Sequence, residues 1–330
     1  MLMLDGSKIA YHQDRIEQWK AGKRFPPTTI DMALTQKCNY SCRFCYAQLQ
    51  DNKPEIINRE TVNNFIDDCA EMGVKAISLV SDGESSIHSE YAHFIKYAKE
   101  KGLDIASGTN GFVLRKPVLE EILPCLTYLR FNFSAGEPTR YAEIMGTKKR
   151  NYYQVCMNVI DAVEIKRAKN LGVTIGLQMV FDPRDFDQVI PMAKLGKELG
   201  VDYTVIKHCS DDEDGQLGVQ YADYPKHYEM LKEAESYSTD KYRVAIKWSK
   251  IKALGKRHYS RCYGAMFHLQ ISGTGLVAPC GMLFNEKYSC YHIGNITKTR
   301  FRDIVAGERY WEVMKMLSSP GFDPRNACGQ

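Results

Sequence analysis

From residue 28 to about 238 the chain alternates short β-branched runs with longer amphipathic stretches. The runs at 29–34, 76–80, 104–107, 128–133, 173–181 and 203–207 have the length of strands. Several show little polar alternation, as strands covered by helices on both faces do. Between them apolar positions recur at helical spacing over 59–72, 90–101, 117–123, 151–170, 187–199 and 225–237. Strand–helix units in unbroken succession predict a parallel α/β sheet rather than a sandwich. A closed eight-unit barrel takes about 250 residues. The stretch from 28 to 238 is shorter, so the expectation is a partial (β/α)6 TIM-like barrel.

After residue 241 the pattern changes. Residues 262–296 hold Gly-rich, hairpin-like sequence, including Leu269-Gln270-Ile271-Ser272-Gly273-Thr274-Gly275-Leu276-Val277, and a helical pattern follows at 301–317. Three segments result: an N-terminal extension over 1–27 with one short helical pattern at 11–21, the partial barrel over 28–238, and a small hairpin-plus-helix module over 239–330. No internal repeat or low-complexity tract interrupts them.

Composition narrows the class. Hydrophobic residues at 44% and charged residues at 25% suit a soluble globular protein. The longest apolar run, around 173–181, falls well short of the roughly 18 residues that span a membrane. The start, Met1-Leu2-Met3-Leu4-Asp5, lacks the basic region and apolar block of a secretion signal, and a cytoplasmic location is expected. A net charge of +4 permits an anionic substrate without demanding one. The basic clusters Lys148-Lys149-Arg150 and Lys256-Arg257-His258 read as solvated loops, so neither nucleic acid nor membrane is an expected partner.

The cysteines change the picture most. There are eleven, an odd number in a chain without a secretion signal, which reads as thiols rather than a disulfide framework. Cys38-Asn39-Tyr40-Ser41-Cys42-Arg43-Phe44-Cys45 directly follows the first predicted strand, at the end of the strand where barrel sites lie. Three thiolates on one loop can hold three irons of a cubane and leave the fourth iron open to a ligand. A zinc site would want four ligands, usually paired C-x2-C units with histidines, yet no histidine lies between His12 and His88. A ferredoxin run would want a fourth cysteine followed by proline, where Tyr46 follows Cys45. An iron–sulfur electron carrier or a zinc-stabilised binding protein stays as the reading of another class.

The C-x3-C-x2-C loop, with an aromatic before its last cysteine, resembles the signature of the radical S-adenosylmethionine (SAM) superfamily, and the strand–helix alternation over 28–238 follows the same plan. The resemblance implies a [4Fe–4S] cluster on Cys38, Cys42 and Cys45 with an open iron that chelates SAM. It also implies SAM cleavage to a 5′-deoxyadenosyl radical that abstracts a substrate hydrogen. Ser81-Asp82-Gly83-Glu84 resembles the family's Gly-Gly-Glu segment with Asp82 in place of its first glycine, and Asp82, Gly83 and Glu84 would face the SAM ammonium group. Asn132 and Ser134, ending the fourth strand, are placed like residues that hold the ribose and carboxylate, and Phe44 like one beside the adenine. Gln178, a polar residue in an apolar run, needs a partner, which SAM or the backbone could supply.

Cys262 and Cys280, with His292-Ile293-Gly294-Asn295-Ile296 and Phe301-Arg302-Asp303-Ile304, resemble SPASM and twitch modules, which carry auxiliary [4Fe–4S] clusters. At least one such cluster is implied, with Cys262, Cys280 and Cys328 as ligands and Cys290 as a further candidate. Cys69, Cys125 and Cys156 read as small buried hydrophobes. Cys209 closes the sixth strand beside Tyr203, Lys207 and His208, where a thiol could return a hydrogen atom to a substrate radical. Relatives with such modules dehydrogenate, epimerise or cross-link. The expected reaction is oxidation or epimerisation of a small polar metabolite (a sugar, aminocyclitol or nucleotide-linked molecule), fed by a reducing partner such as flavodoxin or ferredoxin. The alternative is maturation of a ribosomally made peptide or protein. The 27 residues before the barrel are too few for an independent peptide-recognition domain.

Overall fold

A computed structural model describes residues 6–50, 57–326 and 328. Its strands are β1 (Thr29–Met32), β2 (Ala76–Leu79), β3 (Asp104–Thr109), β4 (Leu126–Asn132), β5 (Thr174–Phe181), β6 (Tyr203–His208), β7 (Arg243–Ile246), β8 (His268–Ile271), β9 (Leu276–Ala278) and β10 (Gly294–Asn295). The helices are α1 (Gln13–Lys20), α2 (Arg59–Met72), α3 (Tyr91–Glu100), α4 (Lys116–Ile122), α5 (Pro138–Ile144), α6 (Lys149–Ala168), α7 (Val189–Glu198), α8 (Tyr228–Glu235), α9 (Trp248–Lys252), α10 (Phe301–Ala306) and α11 (Glu308–Ser318). All of the expected strands are present. Among the described residues no helix is long and apolar enough to cross a membrane.

The chain forms two compact units that interleave along the sequence: residues 1–37, 50–106 and 258–327 in the first, and 38–49, 107–257 and 328–330 in the second. In the first, β1 pairs in parallel with β2 and with β8, while β8, β9 and β10 follow antiparallel. The hairpin expected in a separate module thus begins with a strand laid directly along β1, Thr29 opposite His268. The boundaries of α2 follow from local chemistry. Asn58 accepts the Thr61 N–H at 2.9 Å at one end, and Gly73, at φ +76°, closes the other. Phe65 of α2 packs edge-on against Phe301 of α10 at 5.1 Å. The single helix expected over 301–317 is two, α10 and α11, because Gly307 turns extended (φ −68°, ψ 152°) between them.

In the second unit β4, β5, β6 and β7 pair in parallel in that order. β7 lies beyond residue 238, where the parallel units were expected to stop, and α5 was not foreseen. Parity fixes the faces of this sheet. Phe133, just past β4, packs on Tyr141 of α5 at 4.5 Å and Tyr152 of α6 at 5.4 Å. Phe181 of β5 packs on Tyr224 at 5.5 Å, and the Thr204 hydroxyl of β6 bonds that of Tyr242, which also reaches the Ala193 carbonyl of α7 at 2.8 Å. Side chains alternate along a strand, so Arg130, Asn132, Gly176, Gln178, Tyr203, Val205 and Lys207 take the opposite face.

The approach of α7 to β6 depends on Gly196, where a Cβ would stand 2.1 Å from Thr204 Oγ1 and 2.4 Å from the Tyr242 hydroxyl. Gly196→Ala is therefore expected to lower unfolding free energy by about 1–2 kcal/mol, the overpacking cost outweighing the gain in helix propensity. Gly172→Ala, at a position open for 4 Å around, is the control. Equal denaturation midpoints for the two variants would refute the packing argument.

Candidate active site

The loop bearing Cys38, Cys42 and Cys45 belongs to the second unit, where two backbone contacts hold it. The Arg43 N–H donates to the Ile144 carbonyl at 3.0 Å, and Ser41 N–H to Gly146 at 3.4 Å. Gly146 sits at φ +57°, and a Cβ there would lie 2.0 Å from the Ser41 carbonyl oxygen. Glycine is what lets the chain pass this close. Arg43 also pairs with the buried carboxylate of Asp185, which takes Arg140 at 2.9 Å as well. Tyr40 is buried between Phe112 and Tyr141, at 6.1 and 6.3 Å.

The donor set suits an iron–sulfur cubane. Cys38 Sγ accepts N–H groups from the Tyr40 backbone at 3.5 Å and from Asn110 Nδ2 at 4.0 Å, both of which favour a thiolate. Cys38 is exposed, while Cys42, Cys45 and Phe44 are half-buried. Cys42 Sγ lies 4.0 Å from the sulfur of Met145. Among the described residues no group of three or more His, Cys, Asp or Glu side chains is placed to hold one metal ion. A cubane needs no such convergence, since each thiolate takes a different iron.

The same unit brings Asn132, Ser134 and Gln178 together. Asn132 stands opposite Gln178 in register, and the Gln178 amide donates to Asn132 Oδ1 at 3.2 Å. The Ser134 hydroxyl is buried and accepts the Val180 N–H at 3.2 Å. Gln178 thus has the partner its burial required. Arg130 shares the face of Asn132 and was missed from sequence, where it is a lone charge inside the apolar run 126–132. Its Nε is buried with no hydrogen-bond partner. Opposite it, Gly176 makes room for the Tyr203 ring, whose Cε1 would touch a Cβ there at 2.3 Å. Burial first, and then the Arg130 guanidinium, push the pKa of the partly buried Lys207 down to about 8.

Cys209 is fully buried, its backbone N–H shared between the Phe181 carbonyl and the Tyr224 hydroxyl, each at 2.9 Å. Burial, with Asp182 and Asp211 adding repulsion, pushes its thiol up to about 12, so it is neutral at pH 7. Burial, followed by Lys207, pushes His208 down to about 3, and its Nδ1 has no partner. The acidic run 211–214 shapes its own loop. Buried Asp211 accepts the N–H groups of Asp212, Leu217 and Val219 at 2.8–3.1 Å.

In the first unit both Asp82 oxygens are engaged within the protein. Oδ2 accepts from the Ser272 hydroxyl at 2.6 Å and Gln36 Nε2 at 2.8 Å, while Oδ1 accepts the Gly273 N–H at 2.9 Å. Burial holds this carboxyl above its ordinary range despite those donors. The Asp82 side chain, expected beside a cofactor, therefore ties the β2 loop to the β8–β9 hairpin. Gly83, at φ +74°, approaches so closely that a Cβ would lie 2.0 Å from the Thr35 carbonyl oxygen. Glu84 is buried, its Oε1 accepting from Ser86 N–H and hydroxyl at 3.1 and 2.6 Å. Cys262 and Cys280 are half-buried and Cys290 is exposed in this unit; Cys328 falls in the second, its carbonyl accepting from Arg257 at 2.6 Å.

Comparison with known proteins agrees with this chemistry. The profile of the Radical SAM superfamily matches residues 32–196, and that of SPASM, an iron–sulfur cluster-binding domain, matches residues 262–330. The chain is 24% identical over 324 residues to an AdoMet-dependent heme synthase of Methanosarcina barkeri, covering 92% of this chain and 88% of that protein. It is 23% identical over 240 residues to a probable GTP 3′,8-cyclase of Saccharolobus islandicus, 72% and 71% of the two lengths. Streptococcus suis SuiB bound to S-adenosylmethionine matches with a TM-score of 0.69 at 14% identity, over 96% of this chain and 75% of that one. This last likeness shows the fold, an open α/β partial barrel.

The clamp on the cysteine loop can be tested directly. Gly146→Ala should fold and yet retain clearly less iron and sulfide per chain after anaerobic reconstitution, because the new methyl displaces Ser41 between Cys38 and Cys42. A full complement of iron in a folded variant would count against the clamp.

Proposed function

The chain belongs to the radical SAM superfamily and carries a SPASM domain, and from that premise we propose that it oxidises or epimerises a small polar metabolite. [4Fe–4S] clusters and SAM are the cofactors that go with these two domains. The observation that carries the reading is the clamped loop of three thiols, one already bonded by two N–H groups. When bound, a cluster with one open iron supplies the electron that cleaves SAM, and so the 5′-deoxyadenosyl radical that takes a hydrogen atom from substrate. In our reading Cys38, Cys42 and Cys45 hold that cluster, and Phe44, Asn132, Ser134 and Gln178 orient SAM. Cys262 and Cys280 are the first unit's ligands for an auxiliary cluster, with Cys290 as a further candidate.

What favours a small polar substrate is the sheet face itself, where Arg130, Tyr203 and Lys207 stand beside Asn132 and Gln178. Two relatives bear heme and GTP in their names. A peptide substrate would draw on SuiB, whose likeness carries the fold alone. We assign Cys209 the return of a hydrogen atom to the substrate radical, a role for which the thiol must keep its hydrogen. Electrons would come from a flavodoxin or ferredoxin in the cytoplasm.

Reconstituted anaerobically and reduced with SAM present, the protein should release 5′-deoxyadenosine, and the Cys38/Cys42/Cys45→Ala triple variant should release none. A protein that binds iron and sulfide fully and still leaves SAM intact would end this reading. With the natural substrate in hand, Cys209→Ala should keep 5′-deoxyadenosine release and change the product; unchanged product would remove the role given to that thiol.

A further inference from the structure

The face of the second unit's sheet opposite Phe133, Phe181 and Thr204 holds two cations that the protein itself leaves unmatched. Arg130 on β4 and Lys207 on β6 share this face by strand parity, as the packing of Phe133, Phe181 and Thr204 on the other face requires. Register sets their spacing: Arg130 stands opposite Gly176, Gly176 opposite Tyr203, and Lys207 opposite Val180 further along. Among the described residues neither cation forms an ion pair or a side-chain hydrogen bond, and Arg130 Nε is buried without a partner. The two charges are close enough for Arg130 to depress Lys207, and Lys247 and Lys250 push the same way.

Like charges gathered in partial burial are costly unless an anion offsets them. A guanidinium fork and an ammonium on one face match the planar carboxylate and the tetrahedral phosphate alike. The buried Tyr203 ring, lying over Gly176, forms a wall beside Arg130. We propose that the substrate carries a carboxylate or phosphate group, and that this group docks between Arg130 and Lys207. The inference rests on reading this face as the substrate site of a SAM-cleaving enzyme, and it names the class of substrate.

The test uses the reconstituted holoenzyme saturated with SAM and without reductant, so that SAM's own carboxylate is already placed and no cleavage occurs. Thermal midpoints are followed while sodium phosphate or sodium succinate is titrated in, against sodium chloride at equal ionic strength. One of the two anions should raise the midpoint saturably by about 2 °C or more. Phosphate alone acting indicates a phosphorylated substrate, and succinate alone a carboxylic acid. Arg130→Gln and Lys207→Gln should each weaken the response about tenfold, the loss of one charged contact. Their midpoints in chloride show whether each has folded. Should either variant fail to fold, labelling of Lys207 in the wild-type chain by an amine-reactive ester, read by mass spectrometry, replaces it; the saturating anion should suppress that labelling. No response beyond chloride, variants that respond as the wild type does, or labelling indifferent to the anion would overturn the proposal. Since 5′-deoxyadenosine release is measured separately, anion binding without SAM cleavage would fault the reaction assigned above and leave this docking site standing.

Discussion

A loop with three cysteines among eight residues has few other side chains to fix its own shape, so its backbone must be held from outside. Here the hold is the contact of Ser41 with Gly146, supported by the Arg43 N–H on the Ile144 carbonyl. The contact is possible only because residue 146 lacks a Cβ and accepts a positive φ. α5, which ends at Ile144, delivers that segment to the loop. Tyr141 of the same helix packs on Tyr40 from one side and on Phe133 from the other. The position of the sulfurs is thereby tied to the aromatic layer under β4.

The first unit uses the same device. Thr35 and Gln36 run between Gly83 and Gly273, and a Cβ on either glycine would come within 2.0–2.1 Å of Thr35. Two backbones that approach so closely leave no space for side chains to fasten them. Asp82 does so from beside the contact, through donors on Gln36, Ser272 and Gly273. An aspartate in place of the glycine of the Gly-Gly-Glu segment has a physical reason in this chain: its carboxylate fastens a hairpin that starts nearly two hundred residues later.

Local pattern was enough to place the strands from β1 to β6, since each is a compact apolar run with its own helix, and enough to find the cysteine loop, whose spacing is its chemistry. The need of Gln178 for a partner was legible too, but SAM or the backbone was expected where the register supplies the Asn132 side chain. What escaped was set by distance in the chain. β7 is a short run between charged residues, Lys241 and Lys247, with nothing local to mark it as paired with β6. The pairing of β8 with β1 joins residues 239 positions apart, as Thr29 and His268 are. Gly146 and Gly176 look like ordinary loop and strand glycines until Ser41 and Tyr203 are seen against them. Arg130 was passed over because one charge in an apolar strand has no meaning until its face is known.

Electrostatics separates the two cysteine environments of the second unit. Cys38 is exposed and accepts two N–H donors, which stabilise negative sulfur and suit it to a metal. Cys209 is surrounded by the opposite conditions: complete burial and the carboxylates of Asp182 and Asp211, against which the nearby cations Lys207 and Arg184 do not prevail. A thiol held up at about 12 is a poor nucleophile and a poor metal ligand at neutral pH, because both roles need the thiolate. Hydrogen-atom donation asks the reverse, an intact S–H in a place from which water is excluded. The burial that would disable Cys209 in ionic chemistry leaves its S–H intact, as both packing in the core and hydrogen-atom donation require.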